Sequence, residues 1–149
     1  MSLTIREQIY AKLEEVLSTA LMGVRVERNR DSAVQVFPTV VVIDGGQIRQ
    51  EPESTGFNEY VMTPTIEGWV DGETQADLGP ALNELYGQTV KALMADRKLG
   101  GLAIDMAEGP LEVDVSRREN QGPVAGFALD IEVRFWTAED DPFELGPSA

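Results

Sequence analysis

Four carboxylates, Asp105, Glu108, Glu112 and Asp114, come nearest to a reaction centre in this chain of 149 residues. Two acids held close together in unlike environments act as acid and base, or as acid and nucleophile, in glycoside hydrolysis. With a divalent cation such a set would activate water. The same acids alternate with Leu111, Val113 and Val115, which is how the wet face of a half-buried strand reads. The chain contains no histidine and no cysteine. That excludes Ser-His-Asp and Cys-His triads, imidazole-bound zinc, thiolate chemistry and disulfides. A carboxylate-based, metal-dependent enzyme is therefore the alternative reading, and the main expectation is a protein without catalytic activity.

Two other acidic segments invite a ligand. Asp44-Gly45-Gly46 lacks the longer glycine-rich stretch and the Lys-Ser/Thr of a phosphate loop. It also lacks the alternating Asp/Asn of a calcium loop, so it reads as a turn after a strand. Glu139-Asp140-Asp141 reads as a solvated tail rather than a cation site. No metal or cofactor is expected.

The formal net charge is −14, from 26 acids and 12 bases. A sequence-reading DNA binder gains most of its affinity by neutralising phosphates, and this balance excludes one. A surface that DNA passes without sticking remains open. No apolar run approaches the ~20 residues of a membrane span, and the N-terminus lacks the order of a signal peptide. The reading is a soluble cytoplasmic protein with no membrane partner.

The elements that would position these groups follow from periodicity. Thr4-Ile5-Arg6-Glu7 has the form of a capping box. Behind it Ile5, Ile9, Leu13, Val16, Leu17, Ala20 and Leu21 mark one face of a helix that closes at Gly23. Residues 24–28 alternate like a half-buried strand, and residues 37–43 form a β-branched run covered on both faces. Residues 47–56 read as an exposed loop. Residues 60–70 form a strand region in which Pro64 demands an edge or a bulge.

A second helix carries Leu78, Ala81, Leu82, Leu85, Tyr86, Thr89, Val90 and Leu93 as an almost unbroken stripe. Asp77 is its expected N-cap, Pro80 falls in the first turn, and Arg97-Lys98 occupy the last turn before Gly100-Gly101. Residues 102–107, 111–115 and 125–136 are three more strands, with a charged loop over residues 116–123. The expected fold is α+β, with two amphipathic helices on one face of a mainly antiparallel, twisted sheet of about five to six strands. Residues 1–138 form one domain, and residues 139–149 form an acidic flexible tail.

The uncovered sheet face carries Asp130, Glu132 and Arg134. Bases are grouped as Arg25, Arg28 and Arg30, as Arg97-Lys98 and as Arg117-Arg118. Such clusters on an acidic protein suit contact with acidic patches of a neighbouring copy. Trp69 and Trp136 fall on the polar faces of their strands, where tryptophan favours contact surfaces. Together these residues are the candidate subunit interface.

Several segments carry a resemblance. They are Val26-Glu27-Arg28-Asn29-Arg30, Phe37-Pro38-Thr39-Val40-Val41-Val42-Ile43-Asp44-Gly45-Gly46 and Ala81-Leu82-Asn83-Glu84-Leu85-Tyr86. Leu93-Met94-Ala95-Asp96-Arg97-Lys98-Leu99-Gly100-Gly101 and the closing strand to Asp141-Pro142 complete the set. In this order the chain resembles the small tail-completion proteins of long-tailed bacteriophages, the tail terminator or minor tail protein U-like family. Head–tail joining proteins and other adaptors share the size and α+β character.

The resemblance implies a ring, typically of six subunits. It would cap the tail tube, stop its growth, meet a head completion protein and let DNA pass through its opening. It implies assembly in the host bacterial cytoplasm and residence in the virion tail. It carries no catalytic residue.

Overall fold

The computed structural model describes residues 2–51, 56–117 and 121–147, with only the backbone of Arg117. Helix α1 spans Ile5–Ala20 and begins where the Thr4 side chain accepts the Glu7 amide at 3.0 Å. Its apolar stripe of Ile5, Ile9, Leu13 and Leu17 is buried. Gly23, at φ +75°, turns the chain after it. Helix α2, Gln75–Met94, buries Leu78, Leu82, Leu85, Thr89 and Leu93.

Between and after the helices run β1 (Arg25–Arg28), β2 (Thr39–Ile43), β3 (Gln47–Gln50), β4 (Phe57–Met62) and β5 (Thr65–Asp71). Then come β6 (Asp105–Arg117), β7 (Pro123–Ala138) and β8 (Asp141–Leu145). All belong to one sheet, antiparallel except for the β1–β2 pair. The α+β class with two helices and a mainly antiparallel sheet is as expected from the sequence, and the sheet is larger, with eight strands.

The register explains the difference. β4 and β5 both pair with β7 in one unbroken register, Met62 opposite Val133 and Thr65 opposite Asp130. They form a single row interrupted at Thr63-Pro64, where Pro64 has no amide to give but its carbonyl still accepts the Ile131 amide at 2.9 Å. β2 and β3 likewise lie end to end along β5 and β4, offset by one residue at Asp44-Gly45-Gly46. The eight strands thus make five rows, in the order β1, β2/β3, β5/β4, β7 and β6/β8.

One face of the sheet meets the helices. Phe127, Leu129, Ile131, Val133 and Phe135 of β7 are buried there with Val40, Val42, Met62, Ile66 and the helix stripes. Their alternation with Ala128, Asp130, Glu132 and Arg134 leaves a second face free of helices. Every buried side-chain polar atom among the described residues has a partner. Thr89 Oγ1, for example, donates to the Leu85 carbonyl at 2.7 Å.

Several boundaries differ from the sequence reading. Residues 47–50 pair as β3 although only Ile48 is apolar, because backbone pairing with β4 and not burial holds them. Residues 102–107 and 111–115 do not form two strands: one long β6 runs through a bulge between Glu108 and Leu111. Helix α2 starts at Thr74 as N-cap, not Asp77, so Pro80 lies inside the helix. Asp77 instead accepts the Thr74 hydroxyl at 2.9 Å. The helix ends at Met94, so Arg97 and Lys98 lie in the turn beyond it rather than in its last turn. The tail segment 139–149 contains β8, whose neighbour Gly146 donates its amide to the Trp136 carbonyl at 3.1 Å.

The two row interruptions face each other. A Cβ on Gly45 would lie 1.8 Å from the Thr63 carbonyl oxygen, and the Thr63 amide bonds the Gly46 carbonyl at 3.0 Å. Gly87, exposed in α2, has open space around it, with nothing within 4 Å of where a Cβ would sit. Gly45→Ala therefore loses about 1–3 kcal/mol of stability by overpacking. Gly87→Ala gains about 0.4–1 kcal/mol by lowering the entropy of the unfolded chain. Paired urea melts check both, with opposite shifts of the midpoint expected.

Candidate subunit interface

The basic cluster of β1 is committed largely within its own chain. Arg28 donates to Asp44 at 2.8 and 2.7 Å and to Glu7, while stacking over the Tyr10 ring at 4.8 Å. Arg6 lies 5.1 Å from the same ring and donates to the Gly45 carbonyl. The Tyr10 hydroxyl accepts the Gly45 amide at 2.7 Å. Asn29, at φ +45°, bonds Asp44 through both its amide group and its carbonyl oxygen. These groups fasten α1 to the bulge between β2 and β3. Glu7, which a full capping box would turn back to Thr4, is drawn to Arg28 instead.

Arg25 and Arg30 flank one carboxylate, Glu27, and the exposed Asp31 follows Arg30 in the chain. Arg97 pairs with Asp105 at 2.9 Å, which holds the Asp105 carboxyl below its ordinary range. Lys98 is exposed beside it. Arg134 pairs with Glu59 at 3.1 Å, Asp130 accepts the Thr65 hydroxyl at 2.7 Å, and Glu132 is exposed. Arg117 contributes its backbone to the end of β6, and Arg118 lies outside the described residues.

Both tryptophans are half-buried on the helix-free face. Trp69 lies across Gly126, where a Cβ would come within 2.6 Å of its ring, and it donates to Glu67 at 3.1 Å. Trp136 meets Phe57 edge-on at 4.8 Å and is covered by Gly146. Their own chain thus covers part of each ring. Around Trp69 a cavity of about 380 Å³ opens beneath the β1–β2 connection, lined by Val34, Phe37, Val41, Ile43 and Glu67.

The register places Glu59, Glu67, Asp105, Glu112, Asp114, Asp130 and Glu132 on this one face. The arginines on or beside this face, Arg25, Arg30, Arg97 and Arg134, are each paired to a carboxylate. The face is an acidic wall. The four acids singled out from sequence are not gathered into a pocket. Glu108 projects to the opposite, helix-side face and accepts the Tyr86 hydroxyl at 2.7 Å, which raises the Tyr86 pKa. Glu112 and Asp114 border an open depression beside Glu67 and Trp69. Among the described residues no three His, Cys, Asp or Glu side chains are grouped so as to hold a metal ion.

Sequence reading missed one feature of β6. Leu111, Val113 and Val115 share the helix-side face with Leu129, Phe127 and Ala125, yet they are 43, 58 and 52% exposed. Alternation marks them as core, but α2 covers β6 only near Met106 and Glu108 and leaves this end of the row open. On the same side, at the β1 end of the sheet, a groove of about 360 Å³ is lined by Met22, Val24, Pro38, Val70, Ala81 and Leu85 together with the polar Asp71, Glu84 and Gln88.

No family model matches the sequence and no curated protein matches it. Among solved structures, a chain of one described as "Virion of native gene transfer agent (GTA) particle" is similar at 12% identity and a TM-score of 0.36. The alignment covers 88% of this chain and 92% of that one.

The cluster around Tyr10 sets the pH response. Arg28 holds the Asp44 carboxyl below the ordinary carboxylate range, so its stabilisation is full above pH ~4 and is lost as pH falls through the depressed value. Burial pushes the Tyr10 hydroxyl up, against the lowering effect of the Gly45 amide and Arg6, so its contribution is full below pH ~10 and is lost as pH rises through the elevated value. Arg28→Ala flattens the acid limb and Tyr10→Phe the alkaline limb of stability against pH. Tyr10→Phe also costs about 1–3 kcal/mol at neutral pH by leaving the Gly45 amide unpaired. Thermal melts from pH 3 to 11 measure all three effects.

Proposed function

We propose that this chain is a structural virion-assembly protein of the tail-terminator kind, without catalytic activity. Copies form a closed ring, six in the reading the resemblance implies. The ring caps the tail tube, ends its growth and meets a head completion protein. The observation that carries the proposal is the acidic, helix-free sheet face, on which the arginines are paired to carboxylates. A wall of that kind repels phosphates and presents few free cations to bind them, so DNA passes through the opening without sequence-specific binding. The helices then face outward. The protein assembles in the host bacterial cytoplasm and ends in the virion tail.

Disrupting the gene in the phage or prophage that encodes it, followed by electron microscopy of the particles, tests the reading. Tails of uncontrolled length and unattached filled heads are expected, with normal particles restored when the chain is supplied from a plasmid. Head-joined tails of normal length in the disrupted strain overturn it.

A further inference from the structure

The two margins of the sheet complement each other face by face. β6 forms one margin, and no strand pairs with its outer edge among the described residues. It carries Leu111, Val113 and Val115 on the helix side, and Glu112 and Asp114 on the acidic side. Neither Glu112 nor Asp114 has a basic partner among the described residues. A long, exposed and partly apolar edge of this kind is a template for association.

β1 forms the opposite margin and likewise has a single strand neighbour. Pairing of Arg25 with Thr39 and of Val26 with Val40 sets Arg25 on the acidic side of the sheet and Val26 on the helix side. Met22, 88% exposed, and Val24 extend that apolar side into the groove against α2. The Arg25 guanidinium, 55% exposed, shares the Glu27 carboxylate with Arg30, so part of it stays open to a further acid.

We infer that the β6 edge of one copy docks along the β1 edge of the next copy. Leu111, Val113 and Val115 enter the groove beside Met22 and Val24, while Glu112 and Asp114 meet Arg25. The occupant is a second copy of this chain because each margin supplies what the other lacks, on the matching face. The contact joins two different patches, so it is heterologous and generates a ring when its rotation closes. A two-fold pairing of β6 with itself would instead set acid against acid. The inference rests on the ring reading and adds to it the residues of the contact.

The absence of cysteine makes the contact testable by thiol trapping. β1 and β6 are separated by four row spacings, about 19 Å at ~4.8 Å each. A disulfide needs Cα atoms within ~7 Å, so residues 24 and 113 of one chain cannot join. Oxidised Val24→Cys/Val113→Cys should give a ladder of covalent multimers, both at high protein concentration and in assembled particles. The two single-cysteine variants, once mixed, should give only the mixed dimer. Asp114→Arg and Arg25→Asp should each abolish the ladder in that background, and mixing the two should restore it.

Dimers of Val113→Cys alone, or no covalent multimer in either setting, overturn the proposed contact. The gene-disruption result is read separately. Normal tail control without this cross-link removes the contact and not the function. A full ladder from a chain that tails do not require removes the function and not the contact.

Discussion

Pairing on both edges of β7 is the constraint on which the rest of the molecule depends. One edge holds the β4/β5 row and the other holds β6 and β8. Sixteen residues in strict alternation put Phe127, Leu129, Ile131, Val133 and Phe135 beneath the helices, and Asp130, Glu132 and Arg134 on the far side. A slip of one residue would bury those charges and expose the aromatic and aliphatic stripe. Core formation and the acidic wall are therefore two readings of one register. The sheet cannot hold its hydrophobic face against α1 and α2 without also presenting its carboxylates together.

The row break opposite β7 is where the sheet and the first helix are locked. Pro64 removes an amide from one row, and Gly45 leaves room in the adjacent row for the Thr63 carbonyl. The exposed bulge backbone is then read by Tyr10 and Arg6, with Arg28 and Asp44 closing the ring of polar contacts. A guanidinium stacked on an aromatic ring and held by carboxylates in a partly shielded site is worth more than a pair in open solvent. This explains why the most basic stretch of β1 does not project outward as a free cationic patch. Its central arginine serves the fold, and Arg25 and Arg30 remain near the surface.

Much of this architecture was legible in the chain. Leucine spacing in α1 and α2, and alternation in β7, report burial directly because a helix or strand buries a periodic stripe. β3 was not legible, since Gln47-Ile48-Arg49-Gln50 has one apolar side chain and its pairing is made by backbone groups that no residue type encodes. β8 was hidden for the same reason, with Phe143 and Leu145 left exposed. The candidate site was legible as a list and not as an arrangement. Carboxylates on alternate positions of β6 and β7 foretold a charged face. That Arg28 turns toward Glu7 and Asp44 depends on approaches across 21 and 16 positions, which spacing does not reveal.

The exposed stripe of β6 is the sharpest departure from what the fold alone requires. An isolated domain usually blunts such an edge with charge, proline or a covering helix. Here the acids lie on the opposite face and Pro110 sits at the bulge, before the stripe begins. Leu111, Val113 and Val115 thus remain open on the side where the other rows are roofed by helices. The free margin at β1 offers a groove on that same side and the half-exposed Arg25 on the other. A monomer gains nothing from such matched asymmetry, because its two margins are held apart by the width of the sheet. Only repetition of the chain brings them together, and a repeated contact between unlike margins keeps every helix on one side and every acidic face on the other.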